Sequence, residues 1–294
     1  MDLDVLLQAT ASGLLIGMVY ALISVGLTLI FGLMEIVNFA HGEFLMLAMY
    51  AAFWGSSLAS LDPMVSLPAT VGLLFLLGVL TYRGIISRIL NAPMLAQIFA
   101  TFGLGLFLRG LAQYFWSPDF RSVQDPFLAG LLGGSVNVGR VSLGVPQVAA
   151  ALLAGVAFLG LYLFIDRSRT GLALQAVAED RATATLMGIN SDRMFALGWG
   201  LGAACVGVAG AVLASFYYIY PAVGVVFALI AYITVALGGF GSVPGALVAG
   251  LLVGLVEVVS PTLFGFSPAY KYAVVFGFYL AVVLVRPQGL FGRF

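Results

Sequence analysis

The chain has 294 residues, of which 62% are apolar and only 8% charged, with a mean hydropathy of +1.13 and 12 basic side chains against 12 acidic ones. Soluble domains run at roughly 45–50% apolar and about 25% charged, so this composition excludes a water-soluble enzyme. The even charge balance offers no basic face for nucleic acid, and the lone Cys205 excludes an intrachain disulfide or a cysteine metal cluster.

Apolar segments occur near residues 5–33, 43–60, 64–86, 94–116, 145–165, 194–218, 224–237, 243–260 and 270–285. A membrane crossing takes roughly 20 apolar residues, so the expectation is an all-α, polytopic transmembrane helix bundle. It has about 8–9 membrane segments, some of them broken or re-entrant, in a single domain over residues 1–294. Asp2 and Asp4 stand where a secretory leader would be positive, so the first helix is expected to be retained. Two connections are long. Residues 117–144 are rich in Gly and Pro and hold Asp119, Arg121, Asp125 and Arg140; residues 166–193 are the most charged stretch. If the second loop is cytoplasmic, that side holds Arg83, Arg88, Arg167, Arg169, Arg181, Arg193, Arg286 and Arg293, and the other side only Arg121, Arg140 and Lys271. The positive-inside rule then puts the carboxyl terminus in the cytoplasm and the 117–144 loop outside. Within the charged loop, Ala173 to Leu186 has helix-forming composition, with Ala173, Ala176, Val177, Asp180 and Ala184 about a turn apart and Gly188 as the stop.

Two places break the apolar pattern. Gly32 to Glu43 gathers Glu35, Asn38, His41, Gly42 and Glu43; the second break, Gly238 to Gly245, holds Gly239, Ser242, Pro244 and Gly245. Each follows an Ala-Leu-Ile triplet, at Ala21 and at Ala228, which suggests a weak internal repeat, parallel or inverted. Paired Gly/Pro interruptions point to a translocation site, because freed backbone groups and helix ends can face a wet cavity. The first break contains the only histidine. Its polar residues either cap and brace the hinge or line a solute path. A His with a Glu two residues on is not zinc-ligand spacing. Arg109 and Glu257 are further charges inside apolar segments, each able to brace the bundle or to meet a solute. Gly13/Gly17, Gly198/Gly202 and Gly250/Gly254 have the spacing that lets helix backbones approach. Gly198 and Gly200 are no dinucleotide fingerprint, since no strand precedes them.

The stretch from Gly26 through Asn38, His41 and Gly42 to Glu43 resembles the signature of permease subunits of Liv-type ABC importers, a family for branched-chain amino acids, urea and short amides. The blocks Ala100-Thr-Phe-Gly-Leu104, Ala178-Glu179-Asp180, Leu186-Met187-Gly188-Ile189-Asn190, Leu237 to Ala246 and Arg286 to Arg293 agree in order. The chain departs where family members often carry Arg-Pro-Leu-Arg, here Asn91-Ala92-Pro93-Met94, and a Lys, here Ile230, which leaves the solute open.

The resemblance implies a non-catalytic importer permease in the bacterial inner membrane. Its partners are a second related permease, two ATPase subunits that use ATP and magnesium, and an extracytoplasmic solute-binding protein. Asn38, His41, Gly42, Glu43, Gly239, Ser242, Pro244 and Gly245 then fall in the path or gate, and Ala178, Glu179, Asp180, Leu186, Gly188 and Ile189 in the loop that contacts the ATPases. The residues independently allow this, since the only lysine, Lys271, follows Tyr270 and cannot complete a phosphate-binding loop. A stand-alone secondary transporter is the competing reading; it has no need of a docking loop. A membrane-embedded enzyme lacks any His/Glu or Ser/His constellation.

Overall fold

The computed structural model describes residues 3–59, 62–123 and 134–292. Asp125 and Arg293 lie outside the described residues. Leu3–Met34 forms α1, His41–Ala59 α2, and Leu67–Thr81 α3, which a π-helical turn at Tyr82–Ile86 prolongs to Ile89; Met94–Trp116 is α4. A two-stranded hairpin follows, β1 (Ser135–Val138) against β2 (Val141–Gly144). Then come α5 (Val145–Arg167), α6 (Arg169–Glu179), α7 (Arg181–Leu186), α8 (Ser191–Leu213), α9 (Val223–Gly238), α10 (Val243–Phe264) and α11 (Lys271–Val285).

Among the described residues, seven helical rods are long and apolar enough to cross a membrane, and α9 is a shorter apolar helix. With the 19-residue α2, that accounts for the segments expected from the sequence. The helices divide by burial: the spanning window of α1 is 72% buried and that of α8 78%, against 11% in α4 and 6% in the last rod. α1 and α8 are therefore the central pillars, and α4 and α11 present their apolar faces outward. The small hairpin was not foreseen; it closes over the start of α1, where Gln8 donates to the Ser142 carbonyl at 2.7 Å.

In lipid, helices gain little from hiding apolar side chains, so they associate by close backbone packing. The glycine pairs do this here. Gly13 and Gly17 on α1 face Gly254 and Gly250 on α10, and Gly26 on α1 faces Gly202 on α8. Gly198 meets Leu33, so α1 and α8 run antiparallel.

The internal repeat is inverted. α1 runs from the hairpin end of the bundle to the opposite end, which carries α6 and α7. The chain then turns back through residues 35–40, and α2 starts inside the bundle, at the level of Ile23, and runs to the hairpin end. In the second unit α8 runs the other way, residues 214–222 turn back, and α9 starts inside and runs to the arginine-bearing end. The two half-helices meet at their amino termini, where a Cβ on Gly42 would lie 2.2 Å from the Gly224 carbonyl oxygen. Consistent with this exchange, α1 packs along α10 and α3 along α8. The counterpart of the first break is thus 214–222. The turn at 239–242, which the triplets had suggested as its partner, connects two helices at the end of the bundle, and Phe240, Gly241 and Pro244 are exposed there.

Candidate functional site

The first break is a buried, non-helical crossing into the bundle. Met34 ends α1 eleven residues beyond Ile23, about 16 Å at 1.5 Å per residue. Residues 35–40, extended, can cover about 20 Å, enough to bring the chain back. Glu35, exposed and with φ 55°, makes the reversal.

Backbone laid open at that depth must find partners, since lipid offers none. Thr101 of α4 donates to the Val37 carbonyl at 3.1 Å, and Tyr232 of α9 donates to the Asn38 carbonyl at 2.7 Å. The Asn38 Oδ1 accepts from the Ala40 amide at 3.1 Å. His41 Nε2 lies 2.9 Å from the Ile23 carbonyl oxygen; a carbonyl only accepts, so Nε2 carries the proton. Glu43, two residues on, is ion-paired with Arg109 of α4. Asn38, His41 and Glu43 are 1%, 1% and 3% exposed, so the structure brings these three together and gives each a partner within the chain.

Gly239, Ser242, Pro244 and Gly245 gather elsewhere. Gly239 and Gly241 have φ of 97° and 78°, and Ser242 Oγ accepts from the Gly245 amide at 3.1 Å as the cap of α10. Gly32 approaches Gly241, and the rings of Phe31 and Phe240 lie 4.5 Å apart. The carboxyl-terminal segment finishes the turn, because Leu290 and Phe291 donate their amides to the Leu237 and Gly238 carbonyls at 2.7 and 3.1 Å. The closing Arg286–Gly292 stretch thus caps α9.

The charged loop departs from expectation in one respect. In place of one helix over 173–186 there are two, because Asp180 is extended (φ −152°, ψ 103°) and its carboxylate accepts from the Ala182 and Thr183 amides at 2.8 and 3.1 Å. Together with the Thr183 hydroxyl, these bonds hold its carboxyl below the usual aspartate range. α6 seats Gly171, Leu174 and Val177 inward, whereas Ala178, Glu179 and Asp180 are exposed. Gly188, with φ 85°, ends the second helix as expected. Leu186 and Met187 stand 87% and 79% exposed at the tip, and Ile189 is half-buried behind them. The loop is anchored to the pillars: Thr185 shares a hydroxyl hydrogen bond with Ser191 at 2.8 Å, and Tyr82 donates to Asp192 at 2.7 Å.

The two other charges split in kind. Arg109 is the partner of Glu43. Glu257, on α10, accepts from the Tyr20 hydroxyl and from Lys271 Nζ, each at 2.6 Å. Of the two donors that satisfy the break, Thr101 stood in the Ala100–Leu104 block that carries the resemblance, whereas Tyr232 had no signal beyond a polar residue in an apolar run. No group of acidic, His or Cys residues able to hold a metal occurs among the described residues.

Residues 9–283 match the family described as branched-chain amino acid transport system, permease component. The high-affinity branched-chain amino acid transport system permease protein BraD of Pseudomonas aeruginosa is 32% identical, over 98% of this chain and 96% of its own. The permease protein LivH of Escherichia coli is 33% identical with the same coverage. A probable LivH of Methanocaldococcus jannaschii is 28% identical over 92% of this chain and 88% of its own. No solved structure matches.

Proposed function

The chain belongs to the family of branched-chain amino acid transport permease components, and from that premise we propose that it is the non-catalytic membrane subunit of an ATP-binding-cassette importer. Its solute is a branched-chain amino acid or a related small polar molecule such as a short amide or urea. It sits in the inner membrane with its carboxyl terminus in the cytoplasm, beside a second permease. Two partner ATPases supply ATP hydrolysis with magnesium, and an extracytoplasmic binding protein delivers the solute.

The observation that carries this reading is the α6–α7 knob. An exposed Leu186-Met187 pair on a charged loop is an apolar anchor with a polar rim, the anatomy of a docking contact. Because Thr185 ties the knob to the start of α8, and Asp192 there accepts from Tyr82 at the end of α3, a push on the knob reaches a central pillar. α8 packs on α1, α2 and α3, so its displacement shifts one inverted unit against the other. Asn38, His41, Gly42 and Glu43 then form the inner hinge, and Gly239, Ser242, Pro244 and Gly245 the turn at the arginine-bearing end. A zwitterion or an amide is served there by helix amino termini and backbone groups better than by fixed net charge.

The test is reconstitution of the permease with cognate ATPases and binding protein in proteoliposomes. Uptake of labelled leucine, isoleucine or valine that requires ATP and the binding protein is expected. Uptake driven by an ion gradient with no ATPase present overturns the proposal.

A further inference from the structure

A cavity of about 320 Å³ lies between α1, α10 and the start of α11, at the hairpin end of the bundle and separate from the break at 35–40. Tyr20, Glu257 and Lys271, with Ser12, Gln147 and Tyr217, are its polar lining; Leu15, Ile16, Val19, Phe216 and Val258 are its apolar wall. Its size is at the lower end of small-molecule sites, suited to a compact ligand.

The charges on the wall are unusual. Glu257 is 3% exposed, and its partner Lys271 is the only lysine in the chain, with a side chain 34% exposed. A buried ion pair adds little to stability over apolar residues of the same volume, whereas charges at membrane depth mark ligand sites. Neither partner is saturated. Glu257 spends Oε1 on Lys271 and Oε2 on the Tyr20 hydroxyl, one bond per oxygen where a carboxylate accepts about four. Lys271 makes one hydrogen bond, to Glu257, and an ammonium has three donors. The site can therefore accept from a cation and donate to an anion side by side.

The floor leads inward. The Tyr20 and Tyr217 rings pack on Phe227 at 6.2 and 5.2 Å, and Phe227 lies one turn into α9, the half-helix whose amino terminus meets Gly42.

We propose that this cavity is an entry site for a zwitterionic aliphatic amino acid, its ammonium on Glu257, its carboxylate on Lys271 and its side chain against Leu15, Ile16, Val19, Phe216 and Val258. This rests on the transport reading above and locates its solute's first station within the permease.

The test uses the complete importer in proteoliposomes with a diazirine analogue of leucine. Photolabelling is expected in peptides containing Tyr20 and Glu257. Free leucine should suppress it, while isovalerate and isopentylamine, which each lack one charge, should not. Glu257→Gln is expected to lower labelling by about tenfold, from the loss of a charge-assisted hydrogen bond, with ATPase co-purification unchanged. Glu257→Gln/Lys271→Met removes both charges and strands neither, so a folded double variant that has lost labelling separates ligand binding from stability. Leucine uptake by the wild-type complex with no suppressible labelling of these peptides overturns the site alone, as does full labelling and uptake in the double variant. Absence of branched-chain amino acid uptake by the wild-type complex overturns the branched-chain solute and the site with it, while ATP-driven uptake of an amide or urea in its place leaves the importer reading standing.

Discussion

Removing the two partners of the Glu43–Arg109 pair one at a time should cost unequal amounts. The Glu43 side chain is 4% exposed and that of Arg109 28%. Arg109→Met strands a carboxylate with no route to water, a loss of about 3–5 kcal/mol for a broken buried pair. Glu43→Gln strands a guanidinium whose long side chain is over a quarter exposed and can snorkel toward the membrane interface, so mainly the charged hydrogen bond is lost, about 1–3 kcal/mol. The double variant leaves no charge unpaired and should cost no more than Glu43→Gln alone, a coupling of at least about 3 kcal/mol, the whole cost of Arg109→Met. The assay is reversible unfolding of the purified permease in mixed micelles, followed by circular dichroism, for the wild type and the three variants. Equal single losses that add to the double within about 0.5 kcal/mol would refute the account of this pair as a mutually dependent, buried brace.

Gly42→Leu puts side-chain atoms where the Gly224 carbonyl lies 2.2 Å from an ideal Cβ, so it should abolish assembly, read as loss of the monodisperse complex in size-exclusion chromatography; a normal elution profile defeats the half-helix contact. Asn38→Ala and His41→Ala should cut uptake several-fold with ATPase subunits still bound, and normal uptake at equal expression leaves these side chains a bracing role only. Asp180→Arg and Gly188→Trp should detach or uncouple the ATPases while the permease stays folded; co-purification at wild-type yield with undiminished uptake removes the loop from the mechanism. The Asp180 carboxyl is held below its usual value of 3.8, so its cap on α7 is fully present above that value and is lost as the pH falls through the lower one. Amide exchange in Ala182 and Thr183 should therefore stay slow at pH 5, and fast exchange there would contradict the capping geometry.

Much of this was readable in the chain because lipid imposes a simple code. The spanning segments matched to within a few residues, since roughly 20 apolar residues must be continuous to cross. The glycine pairs were legible as packing, for the same spacing serves both faces of a contact. What escaped was whatever depends on one segment turning against another. Asn38 and Glu43 stood out as polar residues in an apolar run, but their depth was hidden, because only the length of extended backbone in 35–40 sets it. Tyr232 was silent for the same reason, as its hydroxyl serves a carbonyl far away in sequence, and Thr101 showed only as a member of the Ala100–Leu104 block, its partner carbonyl hidden. The inverted repeat was hinted at by two Ala-Leu-Ile triplets, yet these aligned the wrong breaks, since a shared triplet does not carry the direction of the helix it sits on. The split of α6 from α7 turned on a cap, Asp180, in a stretch whose helix propensity is uniform.

The inverted repeat also sets a problem for biogenesis. The units α1–α2–α3 and α8–α9–α10 have similar apolar rods but must enter the bilayer in opposite senses, so hydrophobicity alone cannot tell the insertion machinery which way each should go. The direction has to be written in the flanks. Arg83 and Arg88 close the first unit, and Arg167, Arg169, Arg181 and Arg193 lie at the entrance of the second, so two basic tracts mark the exit of one unit and the entrance of the other at the same face. The arginines in and around α6 and α7 are therefore expected to serve during synthesis, before any transport, as a signpost between two helical units whose apolar rods alone do not set which way up they insert.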